Sequence, residues 1–309
     1  NLFLLCILAF VGLFLCRGPE DKGIIFVPCV NGASRWFYLN PAPLPQIPFL
    51  GTFGFQPGEL IKLTVILYLS FQLNKIRRKK MPESEGFTVY LTTVLVLLGL
   101  FFMQPNMSTA ILVFLICTSI YWVSDYPLKN MFTFFPVMGV IGLIGVFSSS
   151  YRRDRLFTLL QGGEGSDTSL GYHIKQVLIA LGTGGFFGVG FGQSRQKYQY
   201  LPEVSSDSIF AIIGEEFGFI GTCAVLLVFA FLLYKGLEIA KNAESDLGKM
   251  LAVGFTSWIG FQLFINVAAM TKLIPLTGVP IPLISYGGSS IVFSLAGLGI
   301  LASVQKQSQ

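Results

Sequence analysis

Four carboxylates lie close together in the sequence where a polar segment becomes wholly apolar. They are Glu203, Asp207, Glu215 and Glu216, and no charged residue follows them until Lys235. A charge at the head of a membrane helix is costly, so it usually marks a functional site. These carboxylates therefore indicate chemistry at the membrane surface, with Asp207 at the mouth of the apolar segment.

Two interpretations stay open for Asp207. Ser205 and Ser206 are adjacent, so this group could simply cap the following helix, helped by the helix dipole. A capping role does not explain Glu215, which in a continuous helix lies about 80° around and roughly 12 Å along the axis from Asp207. We therefore expect Glu215 within the membrane zone with a cationic partner, for which Lys62 and Arg195 are the candidates.

A second charged pair, Glu59 and Lys62, follows Pro57, a residue suited to the first turn of a helix. Residues three apart share one helix face and can form an ion pair. The pair could simply lock the helix end, or Lys62 could line an outward-facing cavity.

The elements that carry these residues are predicted from composition. Hydrophobic residues make up 53% of the 309 and charged residues 12%, against about 25% charged in ordinary soluble domains. Apolar runs recur at the length that crosses a bilayer, and within lipid they must be helices. We predict an all-α, polytopic transmembrane bundle, one membrane domain over 1–309. Its spans are placed at about 1–16, 56–74, 87–103, 107–123, 129–148, 208–234, 248–269 and 287–304.

Charge asymmetry predicts the orientation. Five cations lie between Lys75 and Lys80, and a short loop this basic belongs on the cytoplasmic side. Alternation then directs the large loop 149–207 outward, although it is rich in Arg and Lys. Arg and Lys residues on the outer side suggest that this loop binds an anion. The alternative is that they simply form a solvated face of the loop. The net charge of +5 is explained by topology alone, so no nucleic acid is inferred.

The large outer loop has its own pattern. An amphipathic stretch over 172–180 contains His173, the one histidine of the chain, and a glycine-rich stretch over 182–194 follows it. Glycines permit close backbone approach and expose N–H groups that suit a phosphate. This part of the loop is predicted to be interfacial or re-entrant, and His173 to be structural.

The last outer loop, 270–286, is rich in proline and predicts irregular backbone that is buried in protein or lines a cavity. Ser289 and Ser290 suit the cap of the final span. The five cysteines show no metal or redox spacing.

Together these blocks resemble the SEDS family, the polytopic peptidoglycan glycosyltransferases of the RodA and FtsW type. The resemblance covers nearly the whole chain. It rests on Asn31 to Phe37, Gln56 to Leu63, Gln104-Pro105, Tyr172 to Ser194, Gln196-Lys197, Leu201-Pro202-Glu203, Asp207, Gly214-Glu215-Glu216, Asn266, and Pro280 to Ser290.

The chain departs from the family pattern at several positions. Ser34 stands where the family has Arg, Asn106 where it has Asp, and Ser205 and Ser206 replace the His-Thr before the acid. The family has ten spans against about eight here, and the chain opens at Asn1 inside an apolar run. The resemblance therefore implies that two N-terminal spans are missing.

The resemblance implies that lipid II is polymerised on the outer face of the bacterial cytoplasmic membrane, with undecaprenyl diphosphate released. Asp207 would be the catalytic base, with Glu203 beside it to increase its basicity. The residues expected to bind substrate are Arg35, Glu59, Lys62, Arg195, Lys197, Glu215 and Ser289. No organic cofactor is expected; a divalent cation, Mg or Mn, would be held by carboxylate and phosphate oxygens.

The implied partners are lipid II, the growing lipid-linked glycan, membrane lipids and a class B penicillin-binding protein, a transpeptidase. Two other functions fit a polytopic bundle with charged groups: a flippase or transporter of the lipid-linked precursor, or a catalytically weak scaffold for the transpeptidase. Ionisable residues crowd the outer half, and this favours surface catalysis.

Overall fold

A computed structural model describes residues 2–15, 29–30, 33–38, 54–104, 106–148, 150–160, 169–197 and 206–307. Within these ranges the chain forms ten helices. They are α1 (Leu2–Leu15), α2 (Pro57–Arg78), α3 (Glu83–Met103), α4 (Met107–Val123), α5 (Lys129–Phe147), α6 (Ser150–Leu160), α7 (Ser169–Gly184), α8 (Ile209–Asn242), α9 (Asp246–Met270) and α10 (Gly288–Gln307). Two short antiparallel pairs join β1 (Cys29–Val30) to β2 (Ala33–Ser34) and β3 (Phe37–Tyr38) to β4 (Gly54–Phe55).

Every predicted span coincides with a helix, and the all-α membrane architecture is confirmed. Among the described residues, five helices are long and apolar enough to cross a membrane: α3, α5, α8, α9 and α10. Helix α4 is apolar but has 17 residues. Helix α2 has 22 residues, but its charged side chains at both ends lower its hydropathy. Helices α6 and α7 lie within the range 149–207 that was assigned to the large loop.

The chain divides into two compact units. The first comprises Asn1–Tyr126, Gly236–Trp258 and Gly288–Gln309, and the second Pro127–Lys235 and Ile259–Gly287. Two of the four divisions fall inside α8 and α9, one falls between α4 and α5, and one falls at the start of α10. The prediction of one membrane domain over 1–309 stays a prediction.

In the first unit α2 contacts α1, α3, α4 and α10. Pro57 begins the helix, Glu59 lies in its first turn, and Lys75, Arg77 and Arg78 lie in its last. This order suits the helix dipole, which favours anions at the N-terminus and cations at the C-terminus. Helix α4 begins at an Asn106 cap, whose Oδ1 accepts hydrogen bonds from the amide and hydroxyl of Thr109. Asn106 thus caps this helix although the family pattern has Asp there.

In the second unit α8 is broken at Gly218, where φ is 66° and ψ is −163°. A break leaves backbone groups without intrahelical partners, and at membrane depth those groups need partners from the protein. The segment that follows α7 supplies them. We call residues 185–197 the glycine loop.

Candidate functional site

Asp207 lies just before α8, which begins at Ile209. Its side chain is largely buried, with 8% of the residue exposed. The Ser206 hydroxyl donates to its Oδ1 at 3.3 Å. Because Asp207 precedes the helix, the predicted 80° offset from Glu215 is wrong: the chain has not yet adopted helical geometry at Asp207.

Asn266 in α9 fixes the backbone at Asp207. Its Nδ2 donates to the carbonyl of Asp207 and to the carbonyl of Val279, both at 2.7 Å. Asn266 is 1% exposed. One buried amide therefore ties the head of α8 to the proline-rich loop that follows α9.

That proline-rich loop approaches the Asp207 carboxylate closely at Gly278. A side-chain carbon at Gly278 would lie 3.6 Å from Oδ2 of Asp207. Gln262 in α9 donates to the carbonyl of Pro280 at 2.8 Å, and Arg155 in α6 donates to the carbonyl of Leu276 at 2.6 Å. Side chains from two helices thus hold the irregular backbone beside Asp207.

His173 is buried in α7, and its Nε2 lies 2.8 Å from the Ser208 hydroxyl oxygen. This contact joins α7 to the residue that follows Asp207. His173, which precedes this turn in the chain, and Asn266, which follows it, therefore both hold the turn at Asp207 and Ser208 in place.

Glu215 finds a partner that the sequence did not predict. Its carboxylate accepts hydrogen bonds from the Ser194 hydroxyl, from the backbone amide of Arg195 at 3.1 Å and from that of Gln196 at 3.4 Å. The expectation of a cationic side chain is wrong. Lys62 is bound to Glu59, and Arg195 contributes its amide, because the glycine loop presents consecutive N–H groups that satisfy a buried carboxylate.

The glycine loop also completes the broken helix. The amides of Val189 and Gly190 donate to the carbonyls of Glu215 and Glu216, at 2.9 and 3.1 Å. In return the amides of Phe219 and Ile220 donate to loop carbonyls at 2.8 and 3.2 Å.

The close approach requires glycine at Gly188, where φ is +79° and an added side-chain carbon would lie 2.1 Å from the Glu216 carbonyl oxygen. No other residue type fits there without displacing the loop.

Two predicted cations lie at the end of this loop. Lys197 donates to Oε1 of Glu216 at 2.8 Å, with 27% of its side chain exposed. Arg195 is exposed. The structure thus brings Arg195, Lys197 and Glu215 together, as a loop folded onto α8.

The first unit contains the other predicted pair. Lys62 Nζ lies 2.8 Å from Oε1 of Glu59 and 5.1 Å from the centroid of the Trp258 ring. Lys62 is 1% exposed and Glu59 is 6% exposed. The spacing argument for this pair is confirmed, and Trp258 adds a cation–π contact that the sequence did not reveal.

Three predicted residues remain. Ser289 is the second residue of α10, and its hydroxyl donates to the carbonyl of Gly54 at 3.2 Å and accepts from the amide of Gln56 at 3.3 Å. Arg35 is partly buried between β2 and β3. Glu203 lies outside the described residues, so its role stays a prediction.

No group of three metal-binding side chains occurs in the part of the chain that the structure describes. Sequence reasoning assigned no role to Ser194, Ser208 or Asn266. Ser194 and Ser208 gave no spacing signal, because their partners lie 21 and 35 positions away. Asn266 was noticed only as part of a family pattern.

Long apolar helices, with buried polar groups gathered where loops join them, define a multi-pass all-α membrane protein. The sequence model of the FtsW, RodA and SpoVE family, described as cell cycle protein, matches residues 1–309. The chain belongs to this family.

Two curated relatives belong to the same family. The chain is 38% identical over 291 residues to stage V sporulation protein E of Bacillus subtilis, covering 93% of this chain and 76% of that protein. It is 34% identical over 289 residues to a probable peptidoglycan glycosyltransferase FtsW of a Geobacter species, covering 91% and 74%.

Two solved structures share the fold. A chain of a peptidoglycan synthase complex superposes with a TM-score of 0.74 at 23% identity, covering 99% of this chain and 80% of that one. The rod shape determining protein RodA of Thermus thermophilus gives a TM-score of 0.65 at 23% identity, covering 99% and 77%.

Proposed function

We propose that this protein is a peptidoglycan glycosyltransferase that polymerises lipid II into glycan strands. Family membership and relatives named as such enzymes support the activity. The observation that carries a catalytic role for this chain is Asp207, a largely buried carboxylate fixed at the head of a membrane helix. Buried charges in such positions are generally functional.

In the proposed reaction Asp207 accepts the proton of a sugar 4-hydroxyl on one lipid-linked disaccharide. The hydroxyl oxygen forms a bond to the anomeric carbon of the other glycan. The bond from that carbon to the diphosphate breaks, and undecaprenyl diphosphate leaves with the bonding electrons. Glu203 would strengthen Asp207 as a base by its negative charge.

The leaving diphosphate needs positive charge nearby. Of the predicted cations Arg195 is the strongest candidate, because it is exposed while Lys62 and Lys197 already pair with carboxylates. Roles in substrate binding for Arg35, Lys62, Lys197, Glu59, Glu215 and Ser289 stay predictions. Mg or Mn carried by the diphosphate stays a prediction, and no step above depends on it.

Asp207→Asn tests the proposal directly. Removing a general base lowers turnover by about 10²- to 10⁴-fold, so purified Asp207→Asn protein should make almost no glycan from lipid II while retaining the parent melting temperature. Asp154→Asn, an exposed acid in α6, is the matched control and should be fully active. Parent-level polymerisation by Asp207→Asn would exclude Asp207 as the base. In the same assay Arg195→Gln should bind lipid II more weakly.

The competing function is transport of the lipid-linked precursor. Proteoliposomes that move labelled lipid II across the bilayer without producing glycan would support transport and contradict polymerisation. We place the protein in the bacterial cytoplasmic membrane with the Asp207 end of α8 outward, as the charge asymmetry predicts.

We further propose a class B penicillin-binding protein as partner. A related fold occurs in a solved peptidoglycan synthase complex that coordinates polymerization and crosslinking. Strands made at the membrane surface need a crosslinking domain within reach. The protein should co-purify with its cognate transpeptidase, and adding this partner should raise the polymerisation rate. Failure to associate in both detergent and membranes would show that the chain acts alone.

A further inference from the structure

The glycine loop exposes three large aromatic side chains that the proposed chemistry does not use. Phe186, Phe187 and Phe191 are 71, 82 and 81% exposed. Isolated exposed apolar residues are ordinary, but a contiguous patch usually marks an interaction surface.

The patch is held rigidly against α8. The Phe186 ring meets the Phe219 ring edge to face, with centroids 5.9 Å apart, and the Phe191 ring lies 5.8 Å from that of Phe217. The reciprocal backbone hydrogen bonds between the loop and α8 fix the same region. The loop that carries these rings is therefore held against the part of α8 that contains Phe217 and Phe219.

The level of Phe217 and Phe219 can be located relative to a bilayer. Helix α8 is broken at Gly218, and its continuous part from Phe219 to Asn242 is about 36 Å long by helical rise, whereas the hydrocarbon core is about 30 Å thick. The uncharged run of this part extends from Phe219 to Tyr234, about 24 Å by the same rise. Lys235 closes its far end, with Nζ 5.9 Å from the Tyr234 ring centroid, an arrangement typical of a membrane interface. Phe217 and Phe219, the residues beside the glycine loop, therefore mark the opposite interface.

The apolar surface continues from the loop along α8. Phe219, Ile220, Leu227 and Phe231 are all more than half exposed. The loop's own charged residues are Arg195 and Lys197, cations that suit anionic headgroups. An aromatic patch continuous with an exposed face of a membrane span, and edged by cations, fits lipid.

We propose that Phe186, Phe187 and Phe191 insert into the lipid at the boundary between headgroups and acyl chains. The glycine loop then acts as an interfacial anchor that fixes the height of α8. Ile209, the first residue of α8, precedes Phe217 by eight residues, about 12 Å by helical rise, and Asp207 lies two residues before it, so the anchor also keeps Asp207 close to that boundary. The proposal is independent of the chemistry assigned to Asp207.

Photocrosslinking in native membranes tests this placement. p-Benzoylphenylalanine would replace Phe187 and, separately, Phe191 in the full chain, and adducts would be identified by mass spectrometry. Leu143 in α5, exposed on a candidate span, is the lipid-facing reference, and Lys80, in the basic loop, is the reference outside the bilayer.

We expect lipid adducts at positions 187 and 191 at a yield comparable to that at position 143. We expect no lipid adduct at position 80. Adducts to another protein chain at 187 and 191 would overturn the proposal by showing a docking surface for a partner or a second copy. Loss of every adduct at 187 and 191, while position 143 still reacts with lipid, would also overturn it, since the rings would then face water.

Discussion

Two buried carboxylates, Glu59 in the first unit and Glu216 in the second, each bind a lysine at 2.8 Å, but the pairs are built differently. Lys62 lies three residues from Glu59 on the same helix and is 2% exposed at its side chain. Lys197 lies 19 residues from Glu216, on the glycine loop, and is 27% exposed. The first pair requires only α2 to form, whereas the second requires a loop to fold onto a broken helix.

The difference predicts what holds each region together. Breaking a fully buried pair leaves an unpaired charge and is strongly destabilising. A partly exposed pair is weakened by water and salt, so it contributes little. The region around Glu59 should therefore depend on its ion pair, and the region around Glu216 on backbone geometry.

The largest expected effect is that of Lys62→Met. It leaves the Glu59 carboxylate buried without its cation and should lower the free energy of unfolding by about 3–5 kcal/mol. Thermal or denaturant unfolding in detergent measures the loss. The double variant Glu59→Gln with Lys62→Met removes both charges and should recover most of it. Equal losses in the single and double variants would mean that packing against Trp258, and not the buried charge, is the cause.

Gly188→Ala should have an intermediate effect on the second unit. The residue has φ of +79°, and the added carbon would lie 2.1 Å from the Glu216 carbonyl oxygen. Strain of this kind costs about 1–3 kcal/mol. Unfolding measurements on Gly182→Ala provide the control, because that position lies in the last turn of α7 with no atom within 4 Å of the added carbon. If both variants unfold like the parent, the loop is not held against α8 as described.

Lys197→Met should have the smallest effect, about 1 kcal/mol or less, and the loss should shrink as salt rises. The Lys62→Met effect should be insensitive to salt, because that pair is shielded from solvent. Unfolding at low and high ionic strength compares the two. A loss at Lys197 as large as that at Lys62 would show that the two pairs do not differ in the way proposed.

The comparison also explains which features were predictable. The pair of Glu59 and Lys62 follows from a spacing of three on one helix, and the structure confirms it. The partner of Glu215 was mispredicted, because that argument treated 208–234 as one continuous helix and looked for a charged side chain. The break at Gly218 and the returning loop replace the cation with a hydroxyl and two amides.

Asp207 shows the same limit. Its position at the mouth of an apolar run singled it out from sequence, and the structure finds it buried at the head of α8. The side chain that fixes it, Asn266, lies 59 residues away. Such a contact has no periodic signal, since it depends on how α9 packs beside the start of α8.

The sequence by itself determined the membrane class, the approximate position of the eight predicted spans and the local charge pair in α2. Length, hydropathy and residue spacing are properties of neighbouring residues, so they are readable along the chain. Tertiary structure alone decided that a glycine loop completes the broken α8, that backbone amides satisfy Glu215, and that Asn266 and the proline-rich loop enclose Asp207. These arrangements arise because buried polar groups must find partners wherever packing brings them, and packing joins residues that are distant in sequence.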